Sequence, residues 1–259
     1  MSTIRERFIE RLLRQIFLRK GSGFVLKGGA AMRSLYGEQR YTKDIDLDFT
    51  NPKRSAESLH GTISSGIEKA ARGLGVRDLR VSQPKKAEKT PRWKINFSDS
   101  DDRPFHVEIE VSRDADRAPP GQVVLQAFVP QADRGIARFW VDIYDHDALA
   151  ASKLAALLGR DLPRDVYDLD VLRAAGARPN RAQIDWALGR AEVSADDARA
   201  LLAGQLKSLS WERFESELRG ALAPEISGRI DEQEWTDMKA RVLAFGLCLL
   251  ENATVNKDG

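Results

Sequence analysis

Apolar and polar positions recur with two different periods in this chain, and the change of period divides it. At the start, Ile4, Phe8, Leu12, Ile16 and Phe17 fall at three- and four-residue spacing, which predicts an amphipathic helix. Phe24, Val25 and Leu26 form a short apolar run, read as a strand, and the pair Gly28-Gly29 separates it from a second helix. Then Ile45, Leu47 and Phe49 alternate with Asp44, Asp46 and Asp48, the period of a strand with one polar face. Helical spacing returns at Leu59, Ile63, Ile67 and Ala71, predicting a helix over 55–74 with Thr50 or Asn51 as its cap. Strand period follows. Leu79–Ser82 is one short run. Trp93, Ile95 and Phe97 alternate with Arg92, Lys94 and Asn96; Phe105, Val107, Ile109 and Val111 alternate with His106, Glu108, Glu110 and Ser112. The polar stretch 98–102 joins these last two as a hairpin loop, and 123–129 and 138–143 predict two further strands.

From Asp147 onward the period is helical. Segments 148–160, 164–175, 181–191, 195–206, 210–221 and 231–251 are expected as helices, with loops such as 176–180 between them and no internal repeat. The pattern therefore predicts an α+β chain: a mixed-sheet domain over 1–145 with a leading helix, then a helical domain over 146–259.

Composition narrows the class. The chain has 259 residues, 42% apolar and 31% charged, as expected of a globular protein. No run approaches the roughly 18 apolar residues of a membrane span, and the charged N-terminus does not read as a secretory signal. The single cysteine, Cys248, excludes a disulfide framework or a cysteine zinc site and fits a cytoplasmic protein. A net charge of +2 means that any nucleic-acid contact must come from local basic patches. One such patch, Lys85, Lys86, Lys89, Arg92 and Lys94 around Trp93, reads either as a backbone track with a base-stacking ring or as a solvated loop beside a core tryptophan. Trp140, Trp186, Trp211 and Trp235 read as packing residues.

The carboxylates carry the candidate chemistry. Asp44 and Asp46 share one strand face, where like charges repel unless something positive sits between them. A hard divalent cation such as Mg²⁺, with Mn²⁺ as its substitute, resolves that repulsion and leaves room for substrate phosphates. Gly28-Gly29 before a helix offers close backbone approach and free amides for a phosphate. Together these features point to a metal–nucleotide site; a solvated acidic edge and a tight turn are the plainer readings. Glu108 and Glu110 share a face of their own strand, and either could supply the third carboxylate that a two-metal site needs. Further on, Lys153 and Arg160 stand seven apart on one helical face, suited to triphosphate oxygens. Asp165 and Asp168 share a face of the next helix; the plainer reading is an ion-pair cluster between the two helices.

The stretch KGGAAMRSLYGEQRYTKDIDL resembles the opening motif of the DNA-polymerase-β-like nucleotidyltransferases, and most closely that of the AbiEii/AbiGii nucleotidyltransferase toxins. Arg40, Thr42, Asp44, Asp46 and Leu47 match, while Ala30 stands where that family carries a hydroxyl. The resemblance extends to Lys153-Leu154 and to Arg164-Asp165-x-x-Asp168-Leu169. It implies a polymerase-β-like catalytic domain ahead of the helical one. It also implies that Asp44, Asp46 and Glu110 are the metal ligands, with Glu108 the fallback for the third, and that Lys27, Gly28, Gly29, Arg40, Lys153 and Arg160 lie at the nucleotide. Asp165 would be a further functional acid, and Asp168 would anchor its helix to the catalytic domain. The implied reaction is transfer of NMP from an NTP to a tRNA hydroxyl, by a toxin held in check by an antitoxin protein. Transfer to a small molecule or a protein, and a nucleotide-binding module without turnover, remain the alternatives.

Overall fold

The structure is a computed structural model that describes residues 4–18, 21–36, 42–51, 55–84, 89–114 and 117–254. It divides into two compact units, one formed by 1–118 with 123–143 and the other by 119–122 with 144–259.

The first unit is built on a seven-stranded mixed sheet. In chain order its elements are α1 (Ile4–Ile16), β1 (Phe24–Lys27), α2 (Gly28–Tyr36), β2 (Asp44–Phe49), α3 (Ala56–Leu74), β3 (Arg77–Ser82), β4 (Arg92–Ser98), β5 (Pro104–Ser112), β6 (Val123–Phe128) and β7 (Phe139–Tyr144). The strands lie in the order β3-β4-β5-β2-β1-β7-β6. β1 runs antiparallel to β2 and parallel to β7; β5 runs parallel to β2 and antiparallel to β4. Register carries the alternation of the sequence across the whole sheet. Leu26, Ile45, Leu47, Trp93, Ile95, Phe97, Val107, Ile109, Val111 and Ile143 fall on one face and are buried. Helices α1 and α3 cover that face: the Phe8 ring meets Phe97 at 4.8 Å and His60 meets Trp93 at 5.0 Å. Trp93 is therefore a core residue with no free face for a base. The opposite face holds the charged partners of the same alternation.

Helix α3 is capped by Ser55, not by Thr50 or Asn51. The Ser55 side chain accepts from the Ser58 amide, and Gly75 closes the C-terminus with a left-handed φ of 64°. Trp140, expected to pack, is 49% exposed on β7.

One buried carboxylate ties α1 to the loop after β6. Glu10 is fully buried. Its Oε1 accepts from the Gln131 and Ala132 amides at 2.8 and 3.0 Å, and its Oε2 accepts from the Asp133 amide at 2.7 Å. The Arg33 guanidinium of α2 donates to Oε1 at 2.5 Å. Next to it, Arg11 donates to Asp133. Burying a charge is unfavourable by several kcal/mol, roughly, unless it is paired and hydrogen-bonded. Here three amides and a guanidinium meet that condition.

The second unit is helical: α4 (His146–Gly159), α5 (Pro163–Ala174), α6 (Arg181–Ala191), α7 (Ala195–Ser208), α8 (Trp211–Glu217), α9 (Pro224–Ser227) and α10 (Glu232–Thr254). Asp145 caps α4, and Asn180 with Gln183 forms a capping box on α6. The helix expected over 210–221 breaks at Leu218 and continues as a 3₁₀ turn over Arg219–Ala221. Gly220 favours the helix poorly there. Arg219 also turns its guanidinium over the Trp211 ring, 5.0 Å from the centroid.

Glu10→Ala should destabilise the protein by about 3–5 kcal/mol, because it takes the carboxylate from buried Arg33 and the acceptor from three amides. Urea unfolding followed by circular dichroism would measure it; a loss below about 1 kcal/mol would show that the clamp is not needed.

Candidate active site

The charged face of the sheet is organised by the turn from β1 into α2. Gly28 sits at the first position of α2 with φ 64°, a backbone state that side chains rarely adopt. A Cβ built on Gly28 would run into the Asp46 carboxylate. In the antiparallel ladder Lys27 stands directly opposite Asp46, so the two glycines and the strand acids meet at one end of β2. Thr42 fixes the start of that strand: its hydroxyl donates to the Asp44 carbonyl at 2.9 Å and accepts from the Asp44 amide at 3.4 Å. This is a physical role for a residue that sequence reading only matched to a pattern. Ala30, where a hydroxyl was expected, is buried.

Asp44, Asp46 and Asp48 all lie on the charged face, but they differ in surroundings. Asp44 and Asp46 are half-buried. Asp48 is 2% exposed and takes the Lys27 ammonium at 2.6 Å. Lys27, expected at the nucleotide, thus neutralises the innermost acid of the row. Arg40 lies outside the described residues.

The third carboxylate comes from β5. Its parallel ladder with β2 sets Glu108 opposite Asp44 and Glu110 opposite Asp46. Neighbouring strands stand about 4.8 Å apart, so these four acids form a compact square on two strands. On the other flank of β5, Arg92 stands opposite Glu110 and its Nη2 lies 2.6 Å from Glu110 Oε2; its Nε lies 3.9 Å from Glu108 Oε1. Among the described residues no three carboxylate, imidazole or thiol groups are gathered closely enough to hold a metal ion by themselves. The donor set is nonetheless one of hard oxygens. Mg²⁺ is commonly bound by one or two carboxylates plus substrate phosphates, and the half-buried Asp44/Asp46 pair fits that pattern.

The second unit holds a separate charge cluster on the α4–α5 hairpin. Lys153 is 7% exposed; its Nζ lies 2.7 Å from Asp168 Oδ2 and 3.5 Å from Asp165 Oδ1. Arg160, at the end of α4, forks onto Asp165 through Nε at 2.9 Å and Nη2 at 3.3 Å. Asp165 and Asp168 are fully or almost fully buried, while half of the Arg160 side chain faces solvent. Pro163 opens α5, whose first turn brings Asp165 under both cations. Two acids and two cations balance, which makes the burial tolerable. Asp168, expected as an anchor to the catalytic domain, has Lys153 as an ion-pair partner within its own unit. Asp170, on the same helix, pairs with Arg173 and with Arg241 of α10. Sequence reading passed over that pair, because a contact 71 positions apart leaves no local signal.

A family model described as "Nucleotidyl transferase AbiEii toxin, Type IV TA system" matches residues 11–247. A search of curated proteins finds no match. Among solved structures, JHP933 from Helicobacter pylori is similar with a TM-score of 0.58 and 17% identity, over 95% of this chain and 92% of that one. A putative nucleotidyltransferase from H. pylori is similar with a TM-score of 0.56 and 17% identity, over 95% of each chain. MenT4, a nucleotidyltransferase toxin from Mycobacterium tuberculosis H37Rv, is similar with a TM-score of 0.55 and 16% identity, over 98% of this chain and 85% of that one. At these identities the solved structures speak for a shared fold.

Two substitutions test the construction of these clusters. Gly28→Ala should lower stability by about 1–3 kcal/mol through backbone strain and displacement of Asp46, read as a fall in melting temperature. Lys153→Met should destabilise by about 3–5 kcal/mol by leaving acids buried beside an apolar side chain. Adding Asp168→Asn should return part of that loss, and equal melts for the single and double variants would count against coupling of the pair.

Proposed function

The chain belongs to the nucleotidyl transferase AbiEii toxin family of type IV toxin–antitoxin systems and is a nucleotidyltransferase, and from that premise we propose that it transfers NMP from a Mg²⁺-bound NTP to a hydroxyl of tRNA. The observation that carries this reading is the register of β2 and β5. It sets Asp44 and Asp46 beside Glu108 and Glu110 on the charged face of the sheet, next to the Gly28 turn.

In this reading Asp44 and Asp46 hold the divalent cation, with Mn²⁺ able to replace Mg²⁺, and Glu110 is the third carboxylate. When bound, the cation lowers the pKa of the attacking hydroxyl and neutralises phosphate oxygens. The α2 N-terminus at Gly28 and Gly29 offers amides to a phosphate without a side chain in the way. Lys27 contributes by neutralising Asp48, which lowers the negative charge of the row of acids. Arg160, half-exposed and held by Asp165, is the guanidinium suited to triphosphate oxygens. Asp165 orients Arg160 and Lys153 together, and Lys153 adds positive potential. The acceptor hydroxyl gives its proton to water as its oxygen bonds to the α-phosphorus, the bond from that phosphorus to the oxygen bridging to the β-phosphate breaks, and pyrophosphate leaves.

The family description brings an antitoxin as the partner of the system. No helix among the described residues is long and apolar enough to cross a membrane. We place the reaction in the cytoplasm, where NTPs and tRNA meet.

Incubation with each labelled NTP and separate pools of tRNA, protein and small molecules tests the acceptor. Label is expected on tRNA alone; label on protein or a small molecule would redirect the assignment. Asp46→Asn should retain its melting temperature and lose transfer by at least about 10²-fold, the scale on which one electrostatic stabiliser of a transition state matters. A wild-type protein that labels no pool would leave only nucleotide binding.

A further inference from the structure

We infer that Arg92 guards the metal site: its guanidinium holds Glu110 while no metal–nucleotide is bound, and so suppresses binding of a divalent cation by itself. This rests on the metal–nucleotide reading above and specifies how that site is controlled.

The geometry is a competition across one strand. Glu110 on β5 has Asp46 as its neighbour on β2 and Arg92 as its neighbour on β4. The Arg92 contact is made, at 2.6 Å, and the same guanidinium reaches toward Glu108 at 3.9 Å. Both candidate third carboxylates therefore face one cation from β4. An ion seated on Asp44 and Asp46 would approach them from the opposite side. A carboxylate oxygen ligating Mg²⁺ must sit about 2.0–2.1 Å from it in near-octahedral geometry. A glutamate held by a guanidinium on the far flank is poorly placed to meet that demand.

The strength of the contact suits a guard. The Arg92 side chain is 56% exposed and that of Glu110 26% exposed. Exposed ion pairs of this kind change an equilibrium by about two- to fivefold. That is enough to disfavour a lone, weakly held cation. It is too little to resist a cation arriving on a triphosphate, whose oxygens also offer the guanidinium fork a better partner than one carboxylate. Metal and nucleotide would then each favour binding of the other, by linkage.

Mn²⁺ serves as the probe, with free ion read by electron paramagnetic resonance on the full chain, in the presence and absence of a non-hydrolysable NTP analogue. Wild type should bind Mn²⁺ weakly alone and gain on addition of the analogue. Arg92→Gln should bind Mn²⁺ alone about two- to fivefold more tightly and gain less from the analogue. Arg92→Lys, which keeps the charge without the fork, should lie between them. Arg92 is on the surface, and circular dichroism would establish that the variants are folded. A folded Arg92→Gln protein whose nucleotide-free Mn²⁺ affinity equals or falls below that of wild type overturns the guard and leaves the metal–nucleotide reading intact. If Asp46→Asn leaves Mn²⁺ binding with the analogue unaltered, that reading itself fails, whatever Arg92 does.

Discussion

Three carboxylates on one face of a six-residue strand repel one another, and much of the first unit can be understood as the management of that repulsion. Asp48, the most buried, is neutralised by Lys27 from the adjacent strand. Asp46 lies over Gly28, where the absence of a Cβ leaves it room. Asp44 is fixed through its backbone by the Thr42 hydroxyl. The next strand adds two more acids in register, and Arg92 draws on those from the far side. Each acid is treated differently, so the row is not uniform. It grades from a buried inner end, where Asp48 meets Lys27, to a half-buried outer end at Asp44 and Asp46.

The second unit solves a related problem in another way. Its acids are deeper, and the cations that meet Asp165 and Asp168 come from the same helical hairpin. Lys153 and Arg160 meet Asp165 across the α4–α5 turn, and Asp170 reaches α10 through Arg241. Balanced burial of this kind fixes which helix faces meet, since a misaligned pair would strand a charge.

Much of this was legible in the sequence because strand alternation carries two messages at once. The same period that put Ile45 and Leu47 in the core put Asp44 and Asp46 outside it, and the Phe105–Val111 run did the same for Glu108 and Glu110. Elements with strong period were readable, and most of their ends fell within a few residues. Contacts without a period were not. Nothing local in Glu10 announces that it is the most enclosed carboxylate of α1, and the Arg241–Asp170 pair joins helices far apart in the chain. Trp140 shows the opposite limit: an aromatic residue on a strand looks like core until the neighbouring strands show which face is left open. The break at Leu218 was hidden because Gly220 shifts helix propensity by only about 1 kcal/mol, too little to read against a favourable flanking pattern.

The Glu10 clamp has a consequence in time as well as in space. The amides that receive Glu10 lie 121 to 123 positions downstream of it. The parallel pairing of Leu26 with Ile143 spans a similar length of chain. At the usual 5–20 residues per second of synthesis, the first helix waits about 6 to 25 s for its partner loop to be made. For most of that interval the acids of β2 already exist, and β1 and β5 can flank them, but β7 is still to be made and the loop after β6 cannot yet receive Glu10. A translation product that stops before residue 131 is therefore expected to carry the acids of β2 and β5 without the clamp that fixes the first helix.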